Sequence, residues 1–187
     1  MVRRATIACA IAVVVCVSVV ASAAAKVRAA SVGCTGADTI ATDESGRQRA
    51  AAAILCTVNR VRAIHGASAL RASRPLTSAA TAHSAEMVAR SYFSHASPDG
   101  SGVRHRAIRS GYVRSSHKTL LDETIAWGSG KFASPNQLVE SFLESAPHRR
   151  ALLGRAYRDL GIGLVLGAPD RNAGGPAATL TLDFGRR

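Results

Sequence analysis

The hydrophobic pattern of this chain changes its period once, and that change restricts the fold more than any other feature. Up to about residue 145 the apolar side chains recur every three or four positions, as they do along one face of a helix. Near the end of the chain they alternate with glycine, threonine and other residues instead, as they do along strands. Helices followed by paired strands predict an α+β domain in which helices cover a small antiparallel sheet.

The pattern predicts four helices and two strands. The helices are expected at residues 47–65, 75–90, 104–110 and 135–145, and the strands at 160–167 and 179–184. Gly66 ends the first helix, and the turn-rich loop 92–102 follows the second. Ser134 is expected to cap the last helix in a capping box with Gln137, and Pro147 interrupts it. The two strands form an antiparallel hairpin.

The N-terminal residues have the pattern of an export signal. Arg3 and Arg4 precede an apolar stretch, small residues follow it, and cleavage is expected near Ala25. One domain, residues 26–187, would remain, with an extended arm over 26–46 ahead of the folded part at 47–187. An uncleaved membrane anchor is the alternative, but the apolar stretch is shorter than the roughly 20 residues that a spanning helix needs. We therefore expect a secreted protein with no membrane span, either released or held at the cell wall.

The cysteines fit an oxidising compartment. Cys9 and Cys16 lie in the signal, which leaves Cys34 and Cys56 as one pair, and we expect them to form a disulfide. Neither belongs to a C-x-x-C pair, and no zinc-knuckle spacing occurs. The disulfide would fasten the N-terminal arm to the first helix.

The chain is strongly basic, with a formal net charge of +12. Such an exported protein would be attracted to anionic wall polymers or lipid headgroups, although a compositional bias toward arginine with no partner is equally consistent with the charge. Nucleic acid is disfavoured by the export signal and by an aromatic content of 4%, which is too low for base-stacking surfaces.

Histidines are the main candidates for chemistry. His83 lies on the apolar face of the second helix, which favours a hydrogen-bonded core residue. His95 precedes a Pro-Asp-Gly turn and His148 follows Pro147 at a helix break, positions from which side chains often point into clefts. The remaining three are expected at the surface: His65, His105 and His117. No Gly-x-Ser-x-Gly motif supports a serine hydrolase.

A series of short motifs runs through the chain in a recognisable order. They are Asn59-Arg60-Val61-Arg62, His83-Ser84-x-Glu86-Met87, Tyr92-Phe93-Ser94-His95 with Pro98-Asp99-Gly100, Glu123-x-Ile125-Ala126-Trp127-Gly128, His148-Arg149, Gly161-Ile162-Gly163 and Asp183-Phe184-Gly185. Their order and spacing resemble the bacterial branch of the CAP superfamily, also called SCP-like extracellular proteins and related to the cysteine-rich secretory proteins.

This resemblance implies an α-β-α sandwich with a cleft formed by His95, Glu123 and His148. Many relatives bind a divalent metal there through the two imidazoles, others are linked to sterol, lipid or glycan binding, and a few to peptidase activity. The chain departs from the family pattern at Asp122, where relatives have glycine, and at Thr124, where they have asparagine. Relatives also place a second glutamate late in the helix that precedes the second histidine of the cleft. Glu140 and Glu144 are the available residues, and Glu144 lies nearer the expected place.

Three functions follow as hypotheses. The first is a binding module whose cleft engages an extracellular lipid, glycan or cell-wall ligand. The second is a metal-assisted hydrolase or lyase acting on peptide or cell-wall substrates, with Glu123 as general base and His95 and His148 as ligands. The third is an interaction or structural protein in which the cleft is vestigial. Because two histidines are fewer than the three protein ligands usual for catalytic zinc, we expect any Zn²⁺ to bind weakly.

Overall fold

The computed structural model describes residues 23–114 and 118–187. The helices are α1 (Ala23–Ser31), α2 (Glu44–Ile64), α3 (Arg74–Arg90), α4 (Val103–Arg109), α5 (Pro135–Glu144) and α6 (Ala146–Leu153), and a short 3-10 helix covers Gly130–Ala133. The strands are β1 (Arg71–Ala72), β2 (Leu120–Ser129), β3 (Asp159–Leu166) and β4 (Ala177–Arg186). Residues 1–22 of the predicted export signal, which covers 1–25, lie outside the described residues, and so does the predicted surface residue His117. Within the described ranges, none of the helices combines the length and apolar character needed to cross a bilayer.

The four strands form one sheet in the order β1-β3-β4-β2. The predicted hairpin is confirmed, because β3 and β4 pair antiparallel. The ten-residue strand β2 adds to β4 antiparallel and forms an edge of the sheet. The prediction of a purely antiparallel sheet is wrong in one respect, since the two-residue strand β1 pairs with β3 in parallel. No alternation in the sequence had indicated β1 or β2.

Helices cover both faces of the sheet, which confirms the α-β-α sandwich. One face carries the large apolar residues of β3 and β4 and packs in the same hydrophobic cluster as α2, α5 and α6. On the other face, Gly161 and Gly163 lie directly under α3, and a Cβ atom at either position would overlap the backbone of Leu76 or Ala80. The alternating glycines therefore allow α3 to approach the sheet closely.

The N-terminal arm differs from the prediction. Residues 26–46 were expected to be extended, but the structure has α1 there, ending at Ser31. Helix α2 also begins earlier than residue 47, at Glu44, because the side chain of Asp43 accepts a hydrogen bond from the backbone N–H of Gly46 at 2.6 Å and caps the helix. The predicted disulfide is present, and it joins Cys34 to Cys56 of α2.

Helix α5 begins without the predicted capping box. Ser134 is the N-cap residue, but its side chain makes no capping hydrogen bond, and Gln137 donates instead to Glu140 at 2.8 Å, so the predicted capping box is wrong.

The end of α5 positions one of the candidate site residues. Ser145 adopts an extended conformation between α5 and α6, and Pro147 lies in the first turn of α6. Proline is favoured there because its missing N–H would have no helical partner. Pro147 thus starts a new helix as well as ending the old one, and His148 lies in that first turn.

Candidate functional site

A cavity of about 480 Å³ lies at the edge strand β2. It is lined by His95, Ala96, Gly102, Val103, Leu121, Asp122, Glu123, Pro147 and His148. The predicted trio of His95, Glu123 and His148 therefore meets in one cleft, although the three residues come from a loop, a strand and a helix.

Glu123 connects this cleft to the protein interior. Its side chain is only 3% exposed. The oxygen Oε1 accepts a hydrogen bond from Nδ1 of His95 at 2.8 Å, and Oε2 accepts one from Nη2 of Arg106 at 2.6 Å. Both carboxylate oxygens are thus bound by protein donors.

Arg106 is a site residue that the sequence analysis missed. Its side chain is 2% exposed, and besides Glu123 it donates to the backbone carbonyls of Ser101 at 2.9 Å and His95 at 3.0 Å. One guanidinium on α4 therefore holds both the carboxylate and the loop that carries His95. No signal distinguished it, because the chain is rich in arginine and Arg106 lies outside the recognised motifs.

The loop before α4 is also held from α3. Glu86 accepts hydrogen bonds from the hydroxyls of Ser97 at 2.7 Å and Tyr92 at 2.8 Å. The predicted turn closes with a hydrogen bond from the N–H of Gly100 to the carbonyl of Ser97, and Gly100 has a φ of +81°, which favours glycine. These contacts fix the position of His95 relative to the sheet.

His83 is a core residue, as the sequence predicted. It is fully buried, and its Nε2–H donates to the carbonyl of Ser94 at 3.0 Å. The same ring lies 4.0 Å from Oε1 of Glu123. Burial lowers the pKa of His83, while the nearby charge of Glu123 opposes that effect. A neutral imidazole therefore forms part of the wall behind Glu123.

His148 approaches the cleft from the opposite side. Its ring packs edge-on against Phe142 of α5 with centroids 5.5 Å apart, and its centroid lies 6.4 Å from that of His95. Burial, together with the positive charge of His95, lowers the pKa of His148. Within residues 23–114 and 118–187, neither ring nitrogen of His148 makes a hydrogen bond, so both are available to a ligand.

The protonation states of Glu123 and His95 depend on each other. Burial favours the neutral acid of Glu123, but the hydrogen bond from His95 and the charge of Arg106 outweigh it, so the pKa of Glu123 is lowered. The hydrogen bond to Glu123 in turn raises the pKa of His95. The pair therefore combines an anchored carboxylate with an imidazole that is easily protonated.

Asp122 lies on the other side of the strand from Glu123, because neighbouring residues of a strand face opposite ways. Its carboxylate accepts a hydrogen bond from the hydroxyl of Tyr157 at 3.0 Å and another from the backbone N–H of Glu123 at 2.9 Å. The negative charge of Asp122 acts on both His95 and His148. The residue that departs from the family pattern thus adds a second carboxylate to the cavity wall.

Other candidates do not reach this cavity. Glu144 is exposed and is not among the lining residues, and Glu140 lines a separate cavity next to Gln137. Neither therefore supplies the second glutamate of the cleft. His105 is exposed as predicted, whereas His65, expected at the surface, is half-buried at the end of α2.

The cleft offers two imidazoles to a divalent metal. In the described part of the chain, no three histidine, cysteine, aspartate or glutamate side chains are grouped so as to hold an ion. Two imidazoles are nevertheless close together, and the hydrogen bond from Nδ1 of His95 to Glu123 leaves its Nε2 free. Metal-binding histidines commonly donate their second N–H to a carboxylate in this way. The donor set fits an ion held by His95 and His148 and completed by water, with Glu123 behind the first ligand.

Comparison with known proteins assigns the family. The sequence profile of CAP, the cysteine-rich secretory protein family, matches residues 55–184. The chain belongs to this family. A membrane protein of Bacillus subtilis described as uncharacterized, YlbC, is 32% identical over 111 residues, which are 59% of this chain and 30% of that protein. The CAP domain thus spans less than a third of this curated relative.

Solved structures share the fold of this CAP domain. An extracellular SCP-domain protein from Bacillus anthracis has a TM-score of 0.61 at 22% identity, covering 79% of this chain and 45% of that one. An outer surface protein from Borrelia burgdorferi has a TM-score of 0.57 at 18% identity, covering 72% of this chain and 90% of that one. A cysteine-rich secretory protein from Staphylococcus aureus has a TM-score of 0.58 at 16% identity, covering 78% of this chain and 40% of that one. The first of these is described as an extracellular protein and the second as an outer surface protein.

Proposed function

We propose that this CAP-domain protein is an exported binding protein whose cleft holds an extracellular lipid, glycan or cell-wall ligand. The proposal is supported by two imidazoles, His95 and His148, that line one cavity with ring nitrogens free to bind. Hydrogen-bonding groups converging in a concave site are typical of ligand pockets.

The state of Glu123 favours binding over hydrolysis. A general base needs an accessible oxygen and a proton affinity close to the working pH. Glu123 is buried, both its oxygens accept hydrogen bonds from His95 and Arg106, and its pKa is lowered. Its arrangement suits the orientation of His95 better than the removal of a proton from water, and this observation carries the proposal.

The cavity walls indicate the chemical character of the ligand. Val103, Leu121 and Pro147 contribute apolar surface, while the two histidines and Asp122 place polar groups in the same space. A ligand with a polar or anionic head and an apolar part satisfies both. The excess of basic over acidic side chains would draw such a ligand, or the anionic surface that carries it, toward the protein.

A divalent ion such as Zn²⁺ would be held by His95 and His148, and it would supply a positive charge for the head of the ligand. Glu123 would fix the ring of His95 through Nδ1, and Asp122 would remain close enough to influence both imidazoles.

Binding assays on matched histidine variants test the proposal. The probes are vesicles of anionic phospholipid and soluble peptidoglycan fragments, each offered with and without Zn²⁺. Replacing His95 and His148 with alanine should abolish retention of the probe that binds, whereas His105→Ala, at an exposed position that does not line the cleft, should retain it. Retention that is equal in the double variant and the control, with the fold intact by circular dichroism, would disprove the proposed site.

The second candidate is a metal-assisted hydrolase or lyase acting on peptide or cell-wall substrates. It is favoured by one observation, the carboxylate-oriented imidazole of His95, which is common among metal ligands. In that mechanism Glu123 is the general base, so Glu123→Gln and chelation should each stop turnover of a peptide or peptidoglycan substrate. Turnover that survives both changes would eliminate it.

A further inference from the structure

A second carboxyl group lies behind Glu123. Asp183 of β4 is directly opposite Glu123 in the pairing of β2 with β4. Its side chain is fully buried, and neither of its oxygens accepts a hydrogen bond from any donor in the described residues. Directly opposite residues of an antiparallel pair project their side chains to the same face of the sheet, so the carboxyl group of Glu123 is the cross-strand neighbour of Asp183. Two carboxyl groups therefore face each other beneath the cleft.

Such a pair cannot carry two negative charges at low cost. An isolated buried carboxylate without a donor is strongly disfavoured, and a neighbouring carboxylate makes ionisation harder still. Glu123 has two donors, His95 and Arg106, and can remain ionised. For Asp183, burial and then the charge of Glu123 raise the pKa well above its ordinary value, while Arg106 acts in the opposite direction. The single negative charge of the pair belongs on Glu123.

We propose that Asp183 is a positioning residue: it remains a neutral acid, and its hydroxyl donates a hydrogen bond to Glu123. A carboxylate has about four lone-pair sites, so Glu123 accommodates this donor together with His95 and Arg106. Three donors from β4, the His95 loop and α4 then fix the carboxylate, which in turn fixes which nitrogen of His95 carries the proton. The proposal concerns the same cleft as the proposed function, but it requires no ligand.

Infrared spectroscopy on the ligand-free protein tests the protonation state. The carbonyl stretching band of a protonated carboxylic acid should be present at neutral pH and should disappear in Asp183→Asn. The variant Glu140→Gln, which removes a carboxyl group outside the cleft, is the control and should keep the band. A spectrum without this band, or a band that survives in Asp183→Asn, would overturn the proposal. This result is independent of ligand binding, so it can fail while the proposed function holds.

Nitrogen NMR of His95 tests the positioning role. Asp183→Asn replaces a neutral donor with another neutral donor, so the Nδ1–H signal of His95 and its titration should match the wild type. Asp183→Leu removes the donor and should broaden or shift that signal. If Asp183 were ionised, the asparagine variant would remove a negative charge and lower the pKa of His95, which would contradict the proposal. If the leucine variant does not fold, the asparagine comparison alone still decides between these outcomes.

Discussion

Arg106 and Glu123 form a buried ion pair, with Nη2 and Oε2 2.6 Å apart and both side chains almost completely excluded from solvent. The pair joins α4 to the edge strand β2, and the same guanidinium holds the carbonyl of His95. The position of His95 in the cleft therefore depends on an arginine that does not line the cavity.

Replacement of Arg106 should be strongly destabilising. In Arg106→Met the negative charge of Glu123 remains buried without its arginine partner, and removing one member of a buried pair costs about 3–5 kcal/mol. Urea denaturation measures the loss. Arg104→Met is the matched control on the same helix, and because Arg104 is exposed it should change stability by less than about 0.5 kcal/mol. Equal midpoints for the two variants would refute the structural role of the ion pair.

The pKa values of the two cleft histidines should be shifted in opposite directions from the ordinary value of 6.5, upward for His95 and downward for His148. Glu123 raises the pKa of His95, so the stability gained from protonating His95 is fully present below its unfolded pKa and is lost as the pH rises through the higher folded value. Burial lowers the pKa of His148, so His148 should be neutral at pH 7. Imidazole NMR titration measures both values.

Glu123→Gln provides the check on that assignment. The substitution removes the charge that raises the pKa of His95, so the His95 titration should move to lower pH. The His148 titration should move less, because its pKa is set chiefly by burial. An unchanged His95 titration in this variant would be inconsistent with the hydrogen bond to Glu123.

Gly163→Ala should destabilise the sandwich. The added Cβ would overlap the backbone of Ala80, and a helix backbone cannot move aside as a flexible side chain can. Overpacking of this kind costs about 1–3 kcal/mol. Gly174→Ala is the control, because nothing lies within 4 Å of a Cβ built there. Thermal unfolding should distinguish them, and a Gly163 variant as stable as the Gly174 variant would mean that α3 can shift freely.

Loss of the disulfide should cost about 3 kcal/mol, since Cys34 and Cys56 close a loop with a sequence separation of 22. Denaturant midpoints of the wild type with and without reductant measure the difference. In a variant with both cysteines changed to alanine, reductant should have no further effect. A wild type that is insensitive to reductant after verified reduction of the bond would contradict this estimate.

Much of the fold could be predicted because its signals are local. The apolar spacing of α2 and α3 and the alternation in β3 and β4 come from residues close together in the sequence. Strand β2 was missed because both its faces are covered, and the segment with Asp122, Glu123 and Thr124 lacks simple alternation. Helix α1 could not be predicted because residues 26–46 are small and polar and include glycines, a composition typical of an extended segment.

The residues of the candidate site also differ in whether a local sequence pattern identifies them. His95, Glu123 and His148 were found because short motifs surround them, and the structure brings all three into one cavity. Arg106 could not be found, since its importance arises from contacts with residues distant in sequence. Asp183 was within a recognised motif, but only the pairing of β2 with β4 places it opposite Glu123. Buried charge networks of this kind are tertiary properties, and no local pattern encodes them.

The cleft lies at the edge of the sheet, and its two histidines belong to opposite layers of the sandwich. His95 is anchored through Glu123 and Arg106 on the α3 and α4 side, while His148 rests on Phe142 on the α5 side. The gap between the rings is consequently an interlayer distance. Core substitutions that thicken or thin one layer would therefore widen or narrow the opening while leaving every cleft residue unaltered.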